Sequence, residues 1–221
     1  MKKLLRVITM DNWQETTEIV AQHGILPIED IPNDFLDYLW DYANYIIDDG
    51  ENNKKLVGHI NEEYFYKDWS KEVERFIINK ANSDFFDFYH KSMNVLSSNK
   101  PMALNQMWVN FQKKYEFNPI HFHSGLFSFI VFLQIPYDLE EEDKVFPFVH
   151  HTGKATSRLS FLVTHGHSYL TGVRDIRINV DKSFEGKMLL FPASLQHLVY
   201  PFYTSEDYRI TVSGNLNYMV D

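Results

Sequence analysis

Two imidazoles stand two residues apart in Asn118-Pro119-Ile120-His121-Phe122-His123, just ahead of an apolar run that follows Gly125. On an extended strand, side chains at i and i+2 point to one side. His121 and His123 can therefore offer two nitrogen donors to one point while Phe122 turns toward the other layer. The same pattern also suits two polar residues on a solvated strand face. A third imidazole, His197, follows Glu185-Gly186-Lys187-Met188-Leu189-Leu190-Phe191-Pro192, a strand pattern that turns at proline before it delivers the ring. A single histidine in that position also suits a hydrogen-bonded core or rim. Near the C-terminus, Arg209 and Thr211 alternate with Tyr208, Ile210 and Val212. A guanidinium on an interior face needs a carboxylate, from the protein or from a bound anion, because an unpaired buried charge is costly. The chemistry on offer is a nitrogen-ligated divalent metal beside an anion site.

Other chemistries lack their residues. The chain has no cysteine, which removes disulfides, thiolate metal sites and thiol nucleophiles together. No G-x-S-x-G elbow anchors a hydrolase triad, and neither a P-loop nor a G-x-G-x-x-G turn is present to cradle a nucleotide. Of the remaining histidines, His165-Gly166-His167 reads as a flexible rim. His150 and His151 point to opposite faces of any strand, and His23, His59 and His90 fall in a helical part without a pattern.

Twenty-one basic residues against thirty acidic ones leave a net charge of −9, so binding driven by neutralising nucleic-acid phosphates is not expected. Arg6 and Asp11 break the apolar start before it reaches signal-peptide length. The most apolar run, Leu126 to Ile135, is too short to span a membrane. A soluble, cytoplasmic protein without membrane partners is the expectation.

The elements that must position these groups fall into two parts. Phe35, Leu39, Tyr42, Ala43 and Ile46 recur on one helical face. A second helix fits Trp69 to about Ala81, and Asn82 or Ser83 can cap a third running to about Leu96. The front therefore reads as mainly α to residue 98. After Pro101 the pattern changes to short β-prone runs: Met107–Phe111, Ile120–Ser124, Phe127–Ile135, Val145–His150, Leu159–Thr164, Ile176–Val180, Met188–Phe191 and Tyr208–Gly214. Such a series predicts a sandwich or barrel, with the helices packed on its outside. The acid-rich stretch Asp138 to Asp143 reads as a solvated loop. No linker separates two domains, so the chain reads as one domain over 1–221, with a helical part (1–98) on a β core (99–221).

The order H-x-H, a distant histidine after a G…F-P turn, then an arginine with a hydroxyl residue two positions on, resembles the Fe(II)- and 2-oxoglutarate-dependent oxygenases. The likeness is carried by Trp108 and Asn110, by Asn118, His121 and His123, by Ser128 and Leu133, and by Leu190, Phe191 and Pro192. It continues through His197, Val199, Pro201 and Phe202 to Arg209, Ile210 and Asn215. The branch it most resembles is found in phages and marine bacteria. A weaker echo lies at Gly24-Ile25-Leu26-Pro27.

The resemblance implies a double-stranded β-helix, a jelly-roll of cupin-like form, with Fe(II) at its open end. His121 and His197 would be two metal ligands. Arg209, helped by Thr211, would pair with the distal carboxylate of 2-oxoglutarate, the co-substrate. The implied reaction is hydroxylation of a C–H bond of an amino acid, a peptide or protein side chain, or a small metabolite, with O2 consumed and succinate and CO2 released. Most of the superfamily has Asp or Glu where this chain has His123, so His123 is read as the third ligand, with a second-layer role as the alternative. Two other readings compete. A cupin-type metalloprotein would use the same histidines without 2-oxoglutarate, but the glutamate that usually follows H-x-H is replaced by Ser124-Gly125-Leu126-Phe127-Ser128. A jelly-roll binding or structural module would use none of them.

Overall fold

The computed structural model describes residues 24–49, 57–85, 101–150, 153–164 and 172–219. Ten strands form two antiparallel sheets. The larger takes β1 (Leu26–Ile28), β2 (Glu62–Phe65), β3 (Met102–Gln112), β5 (Phe127–Gln134), β8 (Met188–Pro192) and β10 (Arg209–Tyr218) in the order β1-β8-β5-β10-β3-β2. The smaller takes β4 (Asn118–His121), β6 (Leu159–Thr164), β7 (Val173–Ile178) and β9 (Gln196–Val199) in the order β4-β9-β6-β7. The chain passes repeatedly from one sheet to the other, and the two face each other as a double-stranded β-helix.

Two cores follow from the alternation of side chains along the central strands. On β5, Phe127, Phe129, Val131 and Leu133 turn outward, where helices α1 (Asn33–Asp49) and α2 (Lys71–Lys80) cover them with Phe35, Leu39, Ala43, Ile46, Val73 and Ile77. Ile130 and Phe132 turn inward and meet Leu159, Phe161, Ile178 and Phe191 between the sheets. A strand covered on both faces reads as a continuous apolar run, which is why β5 is buried from Phe127 to Leu133. Helix α2 starts where the Ser70 side chain accepts from the Val73 backbone N–H, the arrangement that satisfies an otherwise orphaned helix donor.

Several expectations need correction. The front is not purely helical: β1 and β2 lie in it and form the two edges of the larger sheet. Ala81–Phe85 continues α2 as a π-helical turn, and the Ser83 hydroxyl donates back to the Asn79 carbonyl instead of capping a new helix; the rest of the expected third helix lies outside the described residues. Asp138–Asp143 is not a loop. Asp138 accepts from the Glu140 and Glu141 backbone N–H groups and starts a short helix, α3 (Leu139–Lys144), whose Glu142 is fully buried. Val145–His150 forms turns and bends, not a strand, while Gln196–Val199, which the sequence reading assigned to no element, is β9. No helix among the described residues is long and apolar enough to cross a membrane.

Candidate metal and anion site

The smaller sheet brings the histidines together through its register. β4 pairs antiparallel with β9, and His121 lies directly opposite His197. Strand β4 ends at His121, so His123 does not sit on the strand that the H-x-H spacing suggested. Its backbone N–H instead donates to the Ala193 carbonyl at 2.8 Å. The next turn passes through Gly125 at φ 125°, where an added Cβ would lie 2.7 Å from the Leu216 carbonyl, a conformation and closeness that require glycine. His123 thus reaches the site by a pinned turn. Phe122, expected to face the other layer, is 62% exposed.

The three rings converge. Their centroids lie 4.2 Å (His121 to His197), 5.0 Å (His121 to His123) and 5.1 Å (His123 to His197) apart. One ligand nitrogen from each lies within 4.8 Å of the others. Nδ1 of His121 is 2.7 Å from the Pro119 carbonyl, and Nδ1 of His197 is 2.9 Å from the Leu195 carbonyl. Each carbonyl holds a proton on Nδ1 and leaves the Nε2 lone pair for a metal, an outer-layer contact that fixes tautomer and ring direction. Burial keeps the rings neutral. It lowers the His121 pKa, and with the charge of His121 as the next cause it brings His123 down to about 4 and His197 to about 3. Three neutral imidazole donors aimed at one point fit a divalent first-row ion.

The same cleft is lined by Arg209, Thr211, Ser213, Asn110, Trp108 and Glu63, among others. Arg209 and Thr211 occupy alternate positions of β10 that face the smaller sheet, while Ile210 and Val212 turn outward under the helices. Arg209 is 2% exposed and donates from Nη1 to the Ser157 carbonyl at 3.1 Å. No carboxylate among the described residues forms an ion pair with it, so the carboxylate that a buried guanidinium requires is left for a ligand to supply. Thr211 accepts from Asn110 Nδ2 at 3.4 Å. Ser128, expected as part of the family pattern, donates to Asn215 at 2.7 Å and ties β5 to β10 behind the site.

The other described histidines are not part of the cluster. His59 packs on Phe117 with centroids 4.6 Å apart, and His150 is exposed. His23, His90, His151, His165 and His167 lie outside the described residues. Sequence reasoning missed Glu63 altogether and gave Asn110 no role. Glu63 is 3% exposed, and burial, with Glu116 nearby, pushes its carboxyl up to about 7. Its signal was weak because it stands on a four-residue strand inside a helical stretch, and pairing with β3 is what turns it inward.

Comparison with known proteins agrees with this arrangement. A family model described as "Putative 2OG-Fe(II) oxygenase" matches residues 106–215, about half of the chain. No curated protein matches it significantly. Among solved structures, a prolyl-4-hydroxylase of Pseudomonas putida has a TM-score of 0.53 at 10% identity, covering 92% of this chain and 97% of that one. A 2OG-Fe(II) oxygenase-family oxidoreductase of Burkholderia pseudomallei has a TM-score of 0.52 at 7% identity, covering 96% and 94%. A non-heme alpha-ketoglutarate-dependent epimerase from nogalamycin biosynthesis has a TM-score of 0.50 at 8% identity, covering 92% and 84%. At such identities the structures speak for the fold, and the family match adds the chemistry of iron and 2-oxoglutarate. The chain belongs to the Fe(II)- and 2-oxoglutarate-dependent oxygenases.

Proposed function

We propose that His121, His123 and His197 hold the Fe(II), that Arg209 with Thr211 seats the distal carboxylate of 2-oxoglutarate, and that the enzyme hydroxylates a C–H bond of an amino acid, a peptide or protein side chain, or a small metabolite. The observation that carries this reading is Arg209, a buried cation that pairs with no carboxylate among the described residues, lining the cleft that holds the three rings. A guanidinium fork pairs with a carboxylate through two charge-assisted bonds and so fixes the orientation of a keto-diacid. When bound, Fe(II) would let O2 oxidise 2-oxoglutarate to succinate and CO2 and place its other oxygen atom on the C–H bond. The protein's part is to orient and to keep dry. The Nδ1 contacts hold the rings of His121 and His197, and Phe191, fully buried and edge-on to His197 at 5.0 Å, closes one side of that second ring. Phe202, which belongs to the family pattern, packs on Tyr137 with ring centroids 5.2 Å apart.

His123 in place of a carboxylate leaves the ligand set one negative charge short. The 2-oxoglutarate dianion then supplies more of the neutralisation, so metal and co-substrate bind with mutual support. Hydroxylation is favoured by the prolyl-4-hydroxylase likeness, although an epimerase shares the fold and a fold hosts several outcomes. An anaerobic titration with Fe(II) and 2-oxoglutarate tests the assignment: a metal-to-ligand charge-transfer band is expected. Metal binding without the band would favour the cupin-type alternative. His197→Ala should lose metal binding and uncoupled succinate formation together, and His123→Asp should retain or raise iron affinity.

A further inference from the structure

Arg209 brings only donors to the cleft, and the three imidazoles aim lone pairs at the metal position. Among the other buried polar residues that line the cleft, only Glu63 has no donor when ionised, and it stands beside Asn110 where β2 meets β3. Glu63 and Asn110 occupy directly paired positions of those strands, and both line the cleft at 3% and 5% exposure. Asn110 directs Nδ2 to Thr211, which leaves its Oδ1 buried without a partner. A buried unmet acceptor is costly, so this oxygen is poised to receive a donor. Gly58 borders the same corner: a Cβ there would fall 2.5 Å from both Glu63 Oε1 and Asn118 Oδ1. Any larger residue would push these two oxygens out of place. Ile60 and the half-exposed Val57 add an apolar wall beside them.

We infer that the substrate to be oxidised carries a cationic nitrogen, an ammonium or guanidinium on an aliphatic stem, seated on the Glu63 carboxylate and the Asn110 side-chain oxygen. The inference rests on the reading of this cleft as the iron and 2-oxoglutarate site. Glu63 is the one carboxyl lining the cleft among the described residues, and Arg209 is the one guanidinium or ammonium. An acid bound to Arg209 and a base bound to Glu63 therefore take separate places without competing. Several N–H donors on one group satisfy both the carboxylate and the amide oxygen, which a neutral hydroxyl cannot do. A positive charge also offsets the burial and the neighbouring Glu116 that disfavour the Glu63 anion. The aliphatic stem has Ile60 and Val57 to lie against.

The test uses the full chain loaded with Mn(II) and 2-oxoglutarate without oxygen, titrated calorimetrically with L-arginine and L-lysine and with their neutral counterparts L-citrulline and L-norleucine. At least one cation should bind about tenfold or more tightly than its counterpart, the discrimination of a charged hydrogen bond. Glu63→Gln, nearly isosteric, should abolish that preference while 2-oxoglutarate affinity stays within about twofold. Equal binding of the neutral compounds would overturn the inference. So would a preference that survives Glu63→Gln, or no cation binding by protein that has taken up 2-oxoglutarate. Failure to take up 2-oxoglutarate would instead break the reading of the site beneath it, and the inference with it. The comparison within the unaltered protein stands even if the variant fails to fold.

Discussion

The space between the two sheets has two halves of opposite character. Under β5 and β8 it is dry: Phe132, Phe161, Phe184, Phe191 and Ile178 are fully buried and pack ring on ring. Under β3 and β10 the inward positions are Asn110, Gln112, Arg209, Thr211 and Ser213, also buried but polar. The usual sandwich turns apolar residues inward and polar ones to solvent, and β10 inverts that rule. Its Ile210, Val212 and Leu216 face outward because α1 and α2 cover the outside of the larger sheet. The helices thus release the inner face of two strands from core duty, and the site occupies the released area. Stability and chemistry are assigned to different halves of one layer, and each half can be damaged separately.

The largest effect is expected in the dry half. Phe184 sits on the turn Lys182–Phe184 with its ring 5.4 Å from that of Phe132. Phe184→Ala should cost about 3–5 kcal/mol, the toll of a buried aromatic cavity, read as a lower denaturation midpoint. The folded fraction should keep its 2-oxoglutarate affinity. A comparable loss of affinity would show that the two halves are one unit.

Arg209→Met is the converse. Affinity for 2-oxoglutarate should fall about a hundredfold, corresponding to about 2.7 kcal/mol, while Mn(II) binding is spared. Stability should stay level or rise by about 1–2 kcal/mol, because the change removes a buried cation that no carboxylate among the described residues neutralises. A marked loss of stability in a denaturant titration would mean that Arg209 supports the fold.

The same contrast decides what could be read in advance. β5 announced itself because its burial on both faces leaves a run of apolar residues, and Leu159–Thr164 was delimited to the residue. His121 and Arg209 stand out through local strand alternation and His197 through the G…F-P turn ahead of it, while the pairing of β4 with β9 that sets His121 opposite His197 is not legible in the sequence. What escaped depends on contacts distant along the chain. β1 and β2 are too short to carry a period and exist because β8 and β3 offer them edges. The Asp138–Asp143 acids looked solvated, yet Glu142 is buried because its Oε1 accepts from the Tyr203 and Thr204 backbone N–H groups, sixty residues downstream. His123 reached the site, but by a turn whose geometry is set by Ala193 and Leu216 and not by the extended spacing that suggested it.

A pH titration reports on the polar half, with two contributions of opposite sign. The dry half carries almost no charge, while His123 and His197 titrate at about 4 and about 3 when folded against roughly 6.5 when unfolded. Between those values the unfolded chain binds more protons, so these groups make stability fall as pH drops below about 6.5 and leave it flat above about 7. Glu63 acts oppositely: its raised pKa makes stability fall as pH rises from about 4.5 to about 7. The metal-free protein should lose several degrees of melting temperature between pH 6.5 and 5, and Glu63→Gln should lose more over the same interval. Metal affinity of the folded protein should change little over that range as far as His123 and His197 set it, since both stay neutral. A fall in affinity near pH 6.5 would mean that the rings are not shielded as the cleft requires.

The smallest and sharpest test lies on the border between the halves. Tyr137 belongs to the apolar cluster and is 2% exposed, yet its hydroxyl donates at 3.2 Å to the Ser157 carbonyl, which also accepts from Arg209. Ser157 presents that carbonyl from a left-handed backbone, φ 64°, with its own N–H held by the Pro201 carbonyl at 2.8 Å. A carbonyl has two lone pairs, so the phenol and the guanidinium can share it without competing. Tyr137→Phe keeps the ring and its packing on Phe202 and deletes one donor. Stability should fall by about 1 kcal/mol, the usual net value of a hydrogen bond, and 2-oxoglutarate affinity should change less than about threefold. A tenfold loss of affinity would place Tyr137 among the groups that orient Arg209, and the boundary between the dry and the polar half would then run one residue deeper into the core.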